Sequence, residues 1–119
     1  MHKGRKNSGG KYNKQRKKKH AERASHARNV SLGETKRKVF RVKGGNKKTS
    51  LLKADQANIL IRGKVQKAEI KNVLETPQNT FFARQNRLMK GALIQTSLGK
   101  AKITNRPGQE GHINAILVE

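Results

Sequence analysis

Eighteen Lys and Arg residues crowd into residues 1 to 48 against two carboxylates, Glu22 and Glu34, a local net charge of +16. Residues 49 to 119 hold eleven Lys and Arg against five acids, a net of +6. In an extended chain Lys17, Lys18 and Lys19 stand roughly 3.4 Å apart, inside the screening length of about 8 Å at physiological salt. They repel one another until anions come between them, so this stretch has little prospect of collapsing on its own. Regularly placed phosphates supply such anions. Each phosphate neutralised also releases counterions, which makes affinity fall steeply with salt.

Apolar residues are 32% of the chain and aromatics 3%, and the shortage sits in the first part. Up to residue 36, Tyr12, Val30 and Leu32 are the only large apolar side chains apart from Met1. This predicts a basic arm over residues 1–36, disordered until RNA binds, and a folded domain over residues 37–119. A core of roughly 70 to 80 residues is marginal by surface-to-volume scaling, which limits the chain to one domain. Cysteine is absent, which removes disulfides, thiolate metal ligands and redox chemistry, and fits a reducing compartment. Neither an 18-residue apolar run nor a hydrophobic segment after Met1-His2-Lys3-Gly4-Arg5-Lys6 is present. Membrane spanning and secretion are not expected. The arm also lacks the apolar face or lipidation signal that would fix it to a membrane surface.

Within the arm, Lys14 to Arg28 includes Ala21, Ala24 and Ala27, and a short helix on RNA is conceivable. From Arg37 the pattern changes. Lys38-Val39-Phe40-Arg41-Val42-Lys43 alternates basic and apolar over most of its length and stops at Gly44-Gly45-Asn46, a half-buried strand and its turn. Leu51 to Ile61 is a second apolar region, readable as one bulged strand or two short ones. Lys64 to Glu75 reads as a strand before the turn signal Thr76-Pro77-Gln78-Asn79. A hairpin return over Thr80-Phe81-Phe82-Ala83 is one continuation, and a short helix from Asn79 to Leu88 is the other. Strands follow at Ala92–Thr96, Ala101–Thr104 and His112–Val118, with Pro107-Gly108 suited to the centre of a type II turn. Short strands separated by Gly-rich turns predict an all-β barrel or sandwich.

The arm cations Lys3, Arg5, Lys6, Lys11, Lys14, Arg16, Lys17, Lys18, Lys19, Arg23 and Arg28 are candidate phosphate contacts, the alternative being a solvated tail or a localisation signal. Lysine acts as a point charge where arginine grips in a fork, so the lysine excess favours backbone contact over base reading. Tyr12 could stack on an unpaired base or pack peripherally. Gly44-Gly45-Asn46-Lys47-Lys48 joins a flexible turn to two cations, where glycine admits phosphate close to backbone N–H groups. Other patterns fail. Gly108-Gln109-Glu110-Gly111 has the GxxG spacing of a phosphate clamp but follows a proline and carries a carboxylate. Gly91 and Gly99 are too far apart for a P-loop. His20 and His26 are six apart, and His2 and His112 have no obvious partners, so no metal or other cofactor is expected. Glu69, Glu75 and Glu110 are isolated, and the chain is not expected to be an enzyme.

The succession Gly9-Gly10-Lys11-Tyr12, Lys43-Gly44-Gly45-Asn46-Lys47-Lys48, Lys90-Gly91-Ala92 and Asn105-Arg106-Pro107-Gly108-Gln109-Glu110-Gly111-His112-Ile113-Asn114-Ala115 resembles one family in order over nearly the whole chain. It is that of archaeal small-subunit ribosomal protein eight, the S-eight-e family shared with eukaryotes, with the loose match at Lys17 to Gly33 leaving the arm's path open. The resemblance implies a six-stranded β-barrel in the small ribosomal subunit, in the cytoplasm, with the arm inserted into ribosomal RNA. It raises Lys43, Asn46, Lys47 and Lys48 to expected RNA contacts, and Lys36, Arg37, Lys38, Arg41 and Arg106 are further candidate RNA contacts. The implied partners are small-subunit ribosomal RNA and neighbouring ribosomal proteins, with no membrane and no small-molecule substrate. A ribosome-assembly factor has a similar C-terminal domain behind a much longer N-terminal region. A general nucleic-acid-binding protein is the other alternative.

Overall fold

The computed structural model describes residues 4–118, so Lys3 lies outside the described residues. Eight strands form among them: β1 (Ser31–Leu32), β2 (Lys36–Arg41), β3 (Lys47–Ala54), β4 (Gln56–Ile61), β5 (Lys64–Glu75), β6 (Leu93–Thr96), β7 (Gly99–Ile103) and β8 (Asn114–Leu117). One short helix, α1 (Thr80–Arg84), and 3₁₀ turns at His20–Glu22 and Lys43–Gly45 complete the elements. The all-β, barrel-like class is as expected. The closed barrel has five strands, β4 to β8, rather than six, and β1, β3 and β2 form a separate three-stranded sheet.

An odd number of strands in an up-and-down meander cannot close with antiparallel pairs alone. The closing pair, β4 with β8, is accordingly the parallel one, with Ile59 opposite Ala115. A five-stranded barrel is narrow, and its interior alternates large with small side chains. Ile94 faces Ala101, and Ala115 lies between Ile103 and Ile59, all of them buried. The twelve-residue β5 spans two neighbours, pairing with β4 through Lys64–Glu69 and with β6 through Ile70–Glu75. Ala68 and Ile70 point inward from even positions and Val73 from an odd one. The register shift between Ile70 and Asn72 supplies the change of face. Arg62 and Gly63 link β4 to β5 with φ of 45° and 81°, the pair of positive values that a two-residue type I′ hairpin requires.

The apolar region from Leu51 to Ile61 resolves into two strands in different sheets, broken at Asp55. The Asp55 carbonyl accepts from Ile70 N–H (2.8 Å) and its carboxylate from the Thr35 hydroxyl (2.6 Å). Leu51, Val30, Leu88 and Ile113, each no more than 2% exposed, belong to the same hydrophobic core as the barrel interior. Val30 is the first buried residue of the described chain. β1 runs parallel to β3, and the Val30 carbonyl accepts from Leu88 N–H at 2.8 Å. Core formation thus begins at Val30, seven residues before the boundary drawn from the alternating pattern.

Three further expectations change. After Thr76-Pro77-Gln78 the chain forms α1 and not a hairpin return, because the Asn79 side chain accepts from Phe81 N–H (2.9 Å) and caps the helix, while β5 already has β6 as its partner. The strand at Lys36–Arg41 is an edge strand exposed on both faces, with only Phe40 half-buried. Gly108 does not have a positive φ, so its turn is not type II. Glycine is needed there for space, since a Cβ would stand 3.1 Å from the Arg28 carbonyl oxygen.

Candidate nucleic-acid interface

Residues 4–29 are exposed throughout, and the radius of gyration of 21.1 Å far exceeds the about 13.5 Å of a compact chain this long. Only short-range bonds shape the arm up to Arg23. A tight turn joins Lys6 N–H to Gly10 O (3.0 Å) and Gly9 N–H to Lys6 O (2.8 Å), with the Arg5 guanidinium donating to Gly9 O at 2.9 Å. The Lys6 ammonium stands 5.8 Å from the Tyr12 ring centroid. Arg16 donates two 2.8 Å hydrogen bonds to Glu22, which also accepts from Lys19 N–H. This contact holds the Glu22 carboxyl below its ordinary range and the Arg16 guanidinium above its own. Lys11, Lys14, Lys17, Lys18, Lys19 and Arg23 are exposed, Arg23 donating to the Lys18 carbonyl at 3.4 Å.

The β2–β3 hairpin presents Lys43, Asn46 and Lys47 at an exposed tip, where Gly44 and Gly45 have φ of 77° and 78° and Val42 N–H donates to Asn46 O (2.7 Å). Lys36 is exposed in register with Lys53. Other predicted contacts are tied to the 106–111 loop. Arg37 donates to Gly111 O (2.6 Å) and Lys48 to the Gln109 side chain (2.8 Å). Ser50 donates to Gly108 O at 2.8 Å. These bonds bind the three-stranded sheet to the β7–β8 connection and fix where the cations stand.

The Lys48–Gln109 pair, with Phe40, Arg41 and Val42, lines a groove of about 710 Å³ at the base of the arm. Ser25–Arg28, the Leu88–Lys90 segment with Gln78, and Arg106–Gln109 line the rest of it. Five cations line it, Arg28, Arg41, Lys48, Lys90 and Arg106, without a single carboxylate. None of the five is in a salt bridge among the described residues. The Arg28 guanidinium carbon sits 3.9 Å from the Phe40 ring centroid, with the Lys38 ammonium 5.2 Å from the same ring. The structure therefore brings Arg28, Arg41, Lys48 and Arg106 together, leaves the hairpin tip beyond them, and keeps the distal arm apart.

Sequence reasoning missed Phe40, Gln78, Lys90 and Gln109 as members of this groove. Lys90 and Gln109 stood within the family-like segments, and Phe40 within the basic–apolar alternation, but only chain closure places them side by side. Among the described residues no group of three or more His, Cys, Asp or Glu could hold a metal ion, and no helix is long and apolar enough to cross a membrane.

A family model described as ribosomal protein S8e matches residues 1–118. Proteins named small ribosomal subunit protein eS8 match over nearly their full lengths. That of Methanocorpusculum labreanum is 44% identical over 117 residues, covering 97% of this chain and 94% of the relative. That of Pyrobaculum aerophilum is 47% identical over 116 residues (94% and 88%), and that of Haloarcula marismortui 39% identical over 115 (97% and 94%).

Proposed function

The chain belongs to the ribosomal protein S8e family, and from that premise we propose that it is a structural constituent of the small ribosomal subunit that holds ribosomal RNA through its arm and the basic surface at the arm's base. The relatives carry the small ribosomal subunit in their names. The observation that carries the RNA reading is the one-sided groove, five cations against no carboxylate, joined directly to an exposed basic arm. Repulsion within such a cluster is relieved by phosphates, and no chemistry is asked of the protein. The expected contacts are those of the arm from Lys3 to Arg28, of Lys36, Arg37, Lys38 and Arg41, of Lys43 to Lys48 at the hairpin, and of Arg106. Arg37 and Lys48 act partly by fixing the 106–111 loop. The arm is taken to gain its order from RNA, and neighbouring small-subunit proteins are the second class of partner.

Affinity for small-subunit ribosomal RNA and for duplex DNA, measured at matched salt, tests this reading. A preference for the ribosomal RNA, lowered at least tenfold by combined Lys43→Glu and Lys47→Glu substitutions with an unchanged unfolding midpoint, is expected. Equal affinity for the two nucleic acids would replace the reading with general nucleic-acid binding. Co-sedimentation with assembly particles but never with mature small subunits would replace it with an assembly role.

A further inference from the structure

We propose that the groove at the base of the arm is a site for one unpaired RNA nucleotide, whose base lies on the Arg28 guanidinium while its flanking phosphates meet Arg41, Lys48, Lys90 and Arg106. This rests on the ribosomal RNA reading but asks more of it, because a duplex backbone needs neither a cavity nor an apolar wall. The groove has both. It is an open cleft of about 710 Å³, within the size range of about 300–1,000 Å³ of small-ligand clefts. Phe40, Val42, Leu88, Met89 and Pro107 give it apolar lining between the cations.

Arg28 is the centre of the argument. One side of its guanidinium is covered by Phe40 at 3.9 Å, no carboxylate among the described residues pairs with it, and the residue is otherwise exposed at the groove. Unpaired bases stack on arginine planes as they do on aromatic rings, and a guanidinium already seated on a ring loses little freedom on receiving a base. Gln78 and Gln109 both line the groove. Each spends one end of its amide on the protein, Gln78 donating to Lys90 O (2.7 Å) and Gln109 accepting from Lys48 (2.8 Å). The Gln78 carbonyl and the Gln109 amino group are left for a base edge. The position of Arg28 is set by Gly108, whose missing side chain lets the Arg28 backbone approach. Cations in a loose tail would bind phosphate equally well without any of this.

The experiment uses the full chain and two five-residue probes with the same phosphates, penta-adenylate and a fully abasic ribose-phosphate pentamer. Fluorescence anisotropy at 150 mM salt should give about tenfold tighter binding of penta-adenylate, and NMR should show ring-current shifts at Phe40 and Met89 with that probe alone. Arg28→Lys keeps the charge and loses the plane. It should bring the ratio of the two affinities close to one, whatever it does to either affinity alone. Equal affinities for the two probes, or a preference that survives Arg28→Lys, would overturn the proposal. In that event wild-type preference for small-subunit ribosomal RNA over duplex DNA would still stand or fall by itself, so the two readings fail separately.

Discussion

Arg16 and Glu22 form the one carboxylate–guanidinium pair among the described residues, and it lies in the part of the chain assigned to RNA. A glutamate held below its ordinary range keeps its partner above that range and loses it as pH falls through the lowered value, so the His20–Glu22 turn should open on acidification below the usual carboxylate titration. A pH series of the Glu22 side-chain carboxyl shift would follow it. At neutral pH the pair withholds Arg16 from phosphate. Glu22→Gln should free it, raise RNA affinity, and steepen the dependence of log affinity on log salt by about 0.7–0.9; a slope no steeper than wild type would mean that Arg16 does not reach the RNA. Gly111 shows a different constraint. A Cβ there would stand 2.7 Å from Thr49 Cγ2, so Gly111→Ala should cost about 1–3 kcal/mol by overpacking. Urea unfolding should show Thr49→Ser, which deletes that methyl group, recovering much of the loss.

The helix α1 owes its start to Asn79, whose side chain takes the Phe81 N–H. Asn79→Ala should therefore cost about 1 kcal/mol in a urea titration, with the barrel strands retained. A loss near zero would mean that packing of α1 against the barrel suffices without the cap. The same segment marks how far local pattern reached. Thr76-Pro77-Gln78-Asn79 announces a turn, but a turn before an amphipathic run serves a hairpin or a helix equally, and only the pairing of β5 with β6 decides. Strands whose period is local were legible: β6, β7 and β8 lie within one or two residues of their alternating runs. Val30 was not, because one apolar residue among polar neighbours has no period, and its burial comes from Leu88 and β3 far along the chain. The groove follows the same rule. The hairpin cations Lys43 to Lys48 could be read from a local motif, whereas Arg28, Phe40, Lys90 and Arg106 become one surface only when β1 seats the arm against the β7–β8 loop.

At the scale of the whole molecule, the division between arm and domain runs through the RNA-binding surface and not beside it. Residues 1 to 24 hold ten Lys and Arg and one carboxylate, and the described part of this stretch is exposed without a buried side chain. Removing them should leave the unfolding midpoint unchanged and reduce the steepness of the salt dependence by up to about 7–9, according to how many of the ten meet phosphate. Removing residues 1 to 36 is a different operation. It also deletes Val30, β1 and the Arg28 wall of the groove, so unfolding should shift to lower denaturant and binding should fall by more than lost charge explains. Measured side by side, the two truncations separate electrostatic reach from the built surface. If both had the same stability and the same residual affinity, β1 would be an ornament of the arm, and the RNA contacts would reside in charge alone. If the shorter deletion keeps the preference for small-subunit ribosomal RNA at reduced affinity, selectivity belongs to the groove and hairpin, and the distal arm supplies attraction that any phosphate chain would satisfy.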